Sequence, residues 1–549
     1  MKRSRPFFLL ITLSLVLLAW RMHNRSVSEP PVPDPDPEVT TRTARKREPS
    51  KSRAGITTAD REPSASPAQA PSAPPLPPTE KDALTNEWLM QFDSAVAMAA
   101  AIQQARANGI EVIAVIDALN AVRFRASSEA ARAALAAISQ NADMVGSNYF
   151  VRLPTEIPPV DPSRVVGDQG FEDTVLDFMG VPVDNAALGS GVTIAILDTG
   201  IDRSHPTFAN ASIQSFSLLA EPVAGDPSGH GTAVASLVVG TDKFAPGVAP
   251  GARLLDFQVM DAEGIGDAFT IAHGIVQAVD SGAQIISLSL GTYGHSPVLE
   301  RAVRYAQSYG VTLVAPSGND GANGMAYPAR YPGVIGVAAI DANSRPAYFS
   351  NYDDEVDIAA PGVGINAAAP GESWTQFSGT SASTPLVAGS IAGILSSQPH
   401  STSADAARQL IENSNDAGAP GWDPHNGQGI LNLGRALQST PGYDLAIADY
   451  YLDLERSTEN AISLKITVQN RGTELLRAVR LDYWLEGRQE TAFLGNLPVN
   501  DVAFHEVLLN PFFVINGSGT RIEAVASHGE DSDNFWENNA RAGIVKIGE

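Results

Sequence analysis

The sequence predicts an α/β protein built on a parallel sheet covered by helices, preceded by a small α+β unit and followed by a β-sandwich. Three observations carry this. Short, continuous apolar runs at 192–197, 253–259, 284–290, 311–315 and 334–340 read as strands buried on both faces. Between them, residues 268–279 and 297–309 carry apolar side chains at helical spacing. Beyond Pro441 the pattern changes to alternating runs separated by turn residues, with no helical stretch.

Length and composition bound the reading first. With 549 residues, 44% of them hydrophobic, several domains and a large core are expected. A formal charge of −24 and a pI near 4.7 argue against nucleic acid, or an anionic membrane surface, as the main partner. The absence of cysteine excludes disulfides, thiolate chemistry and Cys-ligated metal. The nine histidines show no His-Glu-x-x-His pattern, so a zinc protease has no support.

Residues 1–28 open with Lys2, Arg3 and Arg5, followed by an apolar run at 7–20. That run is short for a spanning helix and fits the core of an export signal; Ser26-Val27-Ser28 offers small residues for a cleavage site. A cleaved signal peptide and an uncleaved membrane anchor both remain open. Either sends the rest of the chain out of the cytoplasm. Residues 29–80 form a Pro-rich segment too poor in apolar surface to fold, and read as an extended linker.

Residues 81–165 form the small α+β unit. Strands are expected at 87–92, 111–116, 121–124 and 149–152, with helices at 95–107 and 128–138, the second capped by Ser127 or Ser128. This β-α-β-β-α-β order is the split βαβ, ferredoxin-like pattern.

Within residues 166–440, three short stretches carry candidate chemistry. Asp198 ends the buried run Ile194-Ala195-Ile196-Leu197, at the carboxyl end of a strand. His230 stands in Ser228-Gly229-His230-Gly231-Thr232, ahead of an apolar stretch. Ser381 lies in Gly379-Thr380-Ser381-Ala382-Ser383-Thr384-Pro385, at the start of an apolar helix with Pro385 expected in its first turn. A helix N-terminus stabilises negative charge, which suits a nucleophile that generates an oxyanion. A serine hydroxyl needs a base to take its proton and a third group to orient the base. Singly, each residue also reads as a helix cap, a turn former or a loop residue.

In the order Asp, His, Ser, these segments resemble the subtilisin-like serine proteases, whose triad order differs from that of other triad enzymes. The resemblance extends to Leu313-Val314-Ala315-Pro316-Ser317-Gly318-Asn319-Asp320, which implies that Asn319 donates to the oxyanion together with the Ser381 N–H. It extends also to Ile285-Ile286-Ser287-Leu288-Ser289-Leu290-Gly291, which implies that Ser289, Leu290 and Gly291 bind the substrate backbone. Gly264-Ile265-Gly266 lies, by resemblance, in a loop bordering the same groove. The chain departs from the family at Ala233 and Ser236 after the histidine, at Ala382 and Ser383 after the serine, and at Ser287 in the substrate strand. None of these removes a catalytic group. Asp320 reads either as a charge that favours a basic side chain before the cut or as a plain turn residue, and the turn reading is preferred.

The resemblance implies a serine endopeptidase acting on protein or peptide substrates, without a cofactor in the chemistry and as a monomer. Calcium often binds this family, and no segment gives a ligand spacing firm enough to name. The unit at 81–165 resembles, in order and position, the inhibitory propeptide of these proteases, with its tail in the substrate groove until a cut within 152–170. Residues 441–549 alternate as strands at 444–447, 462–468, 479–485 and 521–526 and resemble bacterial adhesion-related (CARDB-like) sandwich modules. Two rival readings follow: a catalytically silent binding protein that works through the sandwich, and a membrane-held processing protease with one partner.

Overall fold

The computed structural model describes residues 83–154, 170–437, 442–458, 461–485, 487–511, 520–530, 533 and 536–545. The expected export segment, the linker and most of the expected cleavage region lie outside them. Among the described residues no helix is long and apolar enough to cross a membrane.

The N-terminal unit follows the expected order: β1 (Ala83–Gln91), α1 (Ala95–Ala107), β2 (Glu111–Ile116), β3 (Ala121–Arg125), α2 (Glu129–Ser139) and β4 (Met144–Arg152). Ser94 and Ser128 cap the two helices by accepting from Ala97 N and Ala131 N. The strands pair antiparallel in the order β2-β3-β1-β4, and the buried side chains of Phe92, Met98, Phe124, Leu135 and Ile138 fill the space under the helices.

The central unit contains β5 (Thr193–Asp198), β6 (Ser212–Ser217), α3 (His230–Val239), β7 (Arg253–Gln258), β8 (Ile265–Asp267), α4 (Ala268–Asp280), β9 (Ile285–Ser287), α5 (Pro297–Ser308), β10 (Thr312–Pro316), β11 (Ile335–Ile340), β12 (Ile358–Pro361), the hairpin β13 (Ile365–Ala369) and β14 (Ser373–Phe377), α6 (Thr380–Ser397) and α7 (Ser403–Glu412). Seven strands form one parallel sheet in the order β12-β11-β10-β9-β5-β7-β6. Two of them carry no long apolar run: β6 is an edge strand with exposed side chains, and β12 is a short edge strand ending in Pro361. The run at 284–290 forms a strand only to Ser287. Leu288 still donates to Val314 O at 3.0 Å, after which the chain leaves the sheet and Gly291 pairs with Arg152.

The C-terminal unit is a sandwich of two antiparallel sheets. β15 (Leu445–Thr458), β16 (Ala461–Asn470) and β19 (Val502–Leu509) form one; β17 (Leu476–Leu485), β18 (Arg488–Leu497), β20 (Thr520–Ser527) and β21 (Ala540–Val545) form the other. Leu464, Ile466, Leu481 and Ile522 meet in its core. Arg435, 5% exposed, ties this unit to the central one: its guanidinium donates to Ser414 O at 2.6 Å, Arg471 O at 3.0 Å and Asn500 Oδ1. Burial pulls its pKa down to about 9. Replacing it with methionine leaves buried carbonyls without donors, each costing about 1–3 kcal/mol. In a Ser381→Ala background, Arg435→Met is expected to lower the unfolding temperature and to speed limited proteolysis of the C-terminal unit. An unchanged cleavage rate would contradict this.

Candidate active site

The carboxyl end of β5 sets one side of the site. Asp198 is fully buried, and its Oδ1 accepts from His230 Nδ1 at 2.8 Å and from Thr199 N at 2.8 Å. His230 is the first residue of α3, held there by Asp226, which accepts from Gly229 N at 3.0 Å and from Thr232 N at 2.8 Å. The Thr199 hydroxyl joins the two carboxylates, donating at 2.8 Å to Asp226 and lying 3.2 Å from Asp198. Burial pushes the Asp226 carboxyl up, against the hydrogen bonds from Thr232 and Thr199. Gly231 has no room for a side chain: a Cβ there would lie 2.2 Å from Gly200 O. The Phe377 ring meets the imidazole edge-on at 5.2 Å.

Ser381 sits at the N-terminal end of α6, a helix buried all round as far as Leu395, which is why its sequence is apolar or small throughout. Pro385 lies in the second turn rather than the first. Its missing N–H would have served the Ser381 carbonyl, which instead accepts from Ser289 Oγ at 3.0 Å. The proline thus frees a helix carbonyl that fastens the Ser381 backbone to the Ser289 side chain. The Ser381 hydroxyl donates to Ser289 O at 3.3 Å, and among the described residues no hydrogen bond links it to His230. Such bonds are often loose before substrate arrives and form by rotation of the serine side chain.

Asn319 lies after β10, 9% exposed, and its Oδ1 accepts from Thr380 N at 2.9 Å and Thr380 Oγ1 at 2.8 Å. With Oδ1 so held, the amide donates through Nδ2, beside the Ser381 turn. Gly379, at φ +132°, is required there, since a Cβ would come within 2.9 Å of that nitrogen. The loop around Asn319 is organised by Asn351, fully buried, which accepts from Asp320 N and Ala322 N and donates to Gly324 O and Tyr293 Oη. The Tyr293 hydroxyl donates in turn to Asp320. Asp320 is therefore a bonded loop residue, in keeping with the turn reading.

The family departures are accommodated by packing. Ser236 accepts from Ala368 N at 3.0 Å, and Ser383 donates to Pro361 O at 3.0 Å. Ser287 is buried with its hydroxyl unpaired.

Both segments that the resemblance makes the sides of the substrate groove are already paired. β4 lies antiparallel to β8, so that Gly264-Ile265-Gly266 leads into a short strand rather than a plain loop. Arg152 pairs with Gly291 on the opposite side. At the same contact, Asp267 caps α4, forms an ion pair with Arg123 at 2.9 Å and accepts from Asn148 Nδ2 at 3.0 Å.

Behind the Asp–His pair lies a cavity lined by Asp202, Arg203, Ser215, Asp256 and Gln258. Asp256 is 3% exposed with Oδ1 unpaired. Burial, together with the charges of Asp198 and Asp226, raises its pKa to about 7 against the Ser215 hydrogen bond and the charge of Arg203. The folded pKa lies above the unfolded one. Between about pH 4 and 7 the unfolded chain has released a proton that the native chain keeps, so stability falls as pH rises through this window. The contribution is on the order of 4 kcal/mol. In the Ser381→Ala background, Asp256→Asn is expected to remove that slope, gaining on its parent between pH 5 and pH 8 in chemical denaturation. Parallel pH profiles would contradict it.

Among the described residues no group of three or more Asp, Glu, His or Cys is arranged to hold a metal ion, and no step below depends on one.

An Asp at a strand end hydrogen-bonded to a His at a helix start, together with a serine at a second helix N-terminus and a fixed amide donor, marks a serine hydrolase by class. Residues 189–429 match the model of the subtilase family, peptidase S8. A thermostable alkaline protease of Halalkalibacterium halodurans is 40% identical over 252 residues, covering 46% of this chain and 68% of that protein. Subtilisin Savinase of Lederbergia lenta is 39% identical over 252 residues, 92% of its length, and thermitase of Thermoactinomyces vulgaris 39% identical over 257 residues, 90% of its length. The crystal structure of fervidolysin from Fervidobacterium pennivorans superposes with a TM-score of 0.58 at 23% identity, over 81% of this chain and 71% of that one, and so shares the fold. The chain belongs to the subtilase family. It is a serine endopeptidase, acts on protein or peptide substrates and needs no cofactor for its chemistry.

Proposed function

We propose that Asp198, His230 and Ser381 are the catalytic residues of an exported, monomeric endopeptidase made as a zymogen. His230 takes the proton of Ser381 as the hydroxyl attacks a peptide carbonyl, and Asp198 orients the ring and stabilises the imidazolium. Asn319 and the Ser381 N–H bind the oxyanion. The imidazolium then protonates the leaving amine, and water releases the acyl group. Residues 289–291 hold the substrate backbone as a strand, residues 81–165 act as an inhibitory propeptide on the domain at 166–440, and residues 441–549 cover that domain. Structural calcium has no assigned ligands in this reading.

The 2.8 Å hydrogen bond between Asp198 and His230 carries the reading. The test is a purified mature chain given unfolded protein and a serine-directed phosphonate. Hydrolysis together with labelling of Ser381 supports it. A preparation that does neither is a silent relative and sinks it.

A further inference from the structure

We propose that Ser381 separates the N-terminal unit by cutting the bond between Pro154 and Thr155, and that Pro154 makes this cut slow. The inference rests on the reading of Ser381 as nucleophile and of residues 81–165 as a propeptide.

The register comes from the described tail. Arg152 and Gly291 exchange both backbone hydrogen bonds, Arg152 N to Gly291 O at 3.2 Å and Gly291 N to Arg152 O at 3.1 Å. On the other side, Leu153 N donates to Gly264 O at 3.0 Å. The tail is thus a middle strand between two edges, with Val151 buried, Arg152 exposed and Leu153 half-buried. In an antiparallel pair, each step forward on one strand is a step back on the other, and hydrogen-bonded pairs recur every second residue. Two residues beyond Arg152 is Pro154; two before Gly291 is Ser289. Pro154 therefore falls opposite the residue whose carbonyl already receives the Ser381 hydroxyl, which places the Pro154 carbonyl next to the nucleophile.

Any other residue at this position would donate its N–H to Ser289 O. Proline has none to give. That carbonyl accepts the Ser381 hydroxyl instead, at 3.3 Å, so the proton that His230 has to take is engaged on Ser289. The tail also loses one of the bonds that hold it in register. The unit is in this way retained by the groove while its own cleavage is retarded.

Ser381 Oγ bonds to the Pro154 carbonyl carbon as its proton passes to His230 Nε2. The carbon–nitrogen bond to Thr155 breaks, and His230 returns the proton to that nitrogen. Water then cleaves the ester, leaving a carboxylate on Pro154 and restoring Ser381.

The test follows the full chain by intact mass and N-terminal sequencing as wild type, Ser381→Ala and Pro154→Ala, with hydrolysis of an unfolded protein measured in parallel. The wild type is expected to yield Thr155 as its first new N-terminus and Ser381→Ala to stay whole. Pro154→Ala should give the same terminus roughly tenfold faster, the size of one regained backbone hydrogen bond. Pro154→Leu repeats the measurement should the alanine variant fold poorly. A first cut elsewhere, or no acceleration in either variant, overturns the inference. If the wild type hydrolyses the added protein yet leaves its own chain whole, this inference fails and the peptidase reading stands; if it does neither, that reading fails.

Discussion

Replacing Ser381 with alanine is expected to lower peptide hydrolysis by about a millionfold, the loss known for the nucleophile of a related bacterial subtilisin, while leaving the fold in place. The structural cost is small because the hydroxyl makes one long hydrogen bond, 3.3 Å to Ser289 O, and the residue is otherwise held by its backbone. Steady-state hydrolysis and thermal unfolding should therefore separate cleanly: activity gone, midpoint within a few degrees. A variant that keeps more than about a thousandth of the rate would place the nucleophile elsewhere.

Asn319→Ala is expected to cost about a hundred- to a thousandfold in kcat with little change in KM, again a magnitude known from a related subtilisin. Thr380 fixes Oδ1 from two directions, so Nδ2 is presented to the turn that carries Ser381 without reorganisation during the reaction. Alanine also leaves the buried Thr380 N–H and hydroxyl without their acceptor, so a moderate loss of stability should accompany the kinetic loss. Asn319→Asp separates the two effects. It keeps the acceptor for Thr380 but puts a negative charge where the oxyanion forms, and should restore stability without restoring kcat. Recovery of both would show that Asn319 only holds the loop.

Residues that announce themselves locally were legible in the sequence. Asp198 closes an apolar strand, His230 stands between glycines before an apolar helix, and Ser381 opens a helix of small and apolar residues. The parallel strands β5, β10 and β11 were visible for the same reason: buried on both faces, they are nearly continuous apolar runs, whereas β7 carries Arg253, Asp256 and Gln258 among its apolar residues. The N-terminal unit was visible through its alternating elements and the Ser128 cap. What sequence did not show depends on contacts between distant segments. Asp226 organises Thr199 and Thr232 across the base of the site, and Asn351 reaches back to residues 317–324; neither lies in a pattern that marks it. Ser289 was read for its backbone, yet its hydroxyl takes the carbonyl that Pro385 leaves open. β6 was missed because an exposed edge strand has no apolar run, and Arg435 because nothing local distinguishes an arginine that donates to the carbonyls of another unit.

The central claim is that His230 activates Ser381. It is tested most directly by treating the chain with a serine-directed phosphonate, as wild type and as His230→Ala, and locating the adduct by peptide mass. The account predicts one adduct, on Ser381, formed orders of magnitude more slowly when His230 is absent. An adduct on another residue, or equal labelling rates in the two proteins, would contradict it.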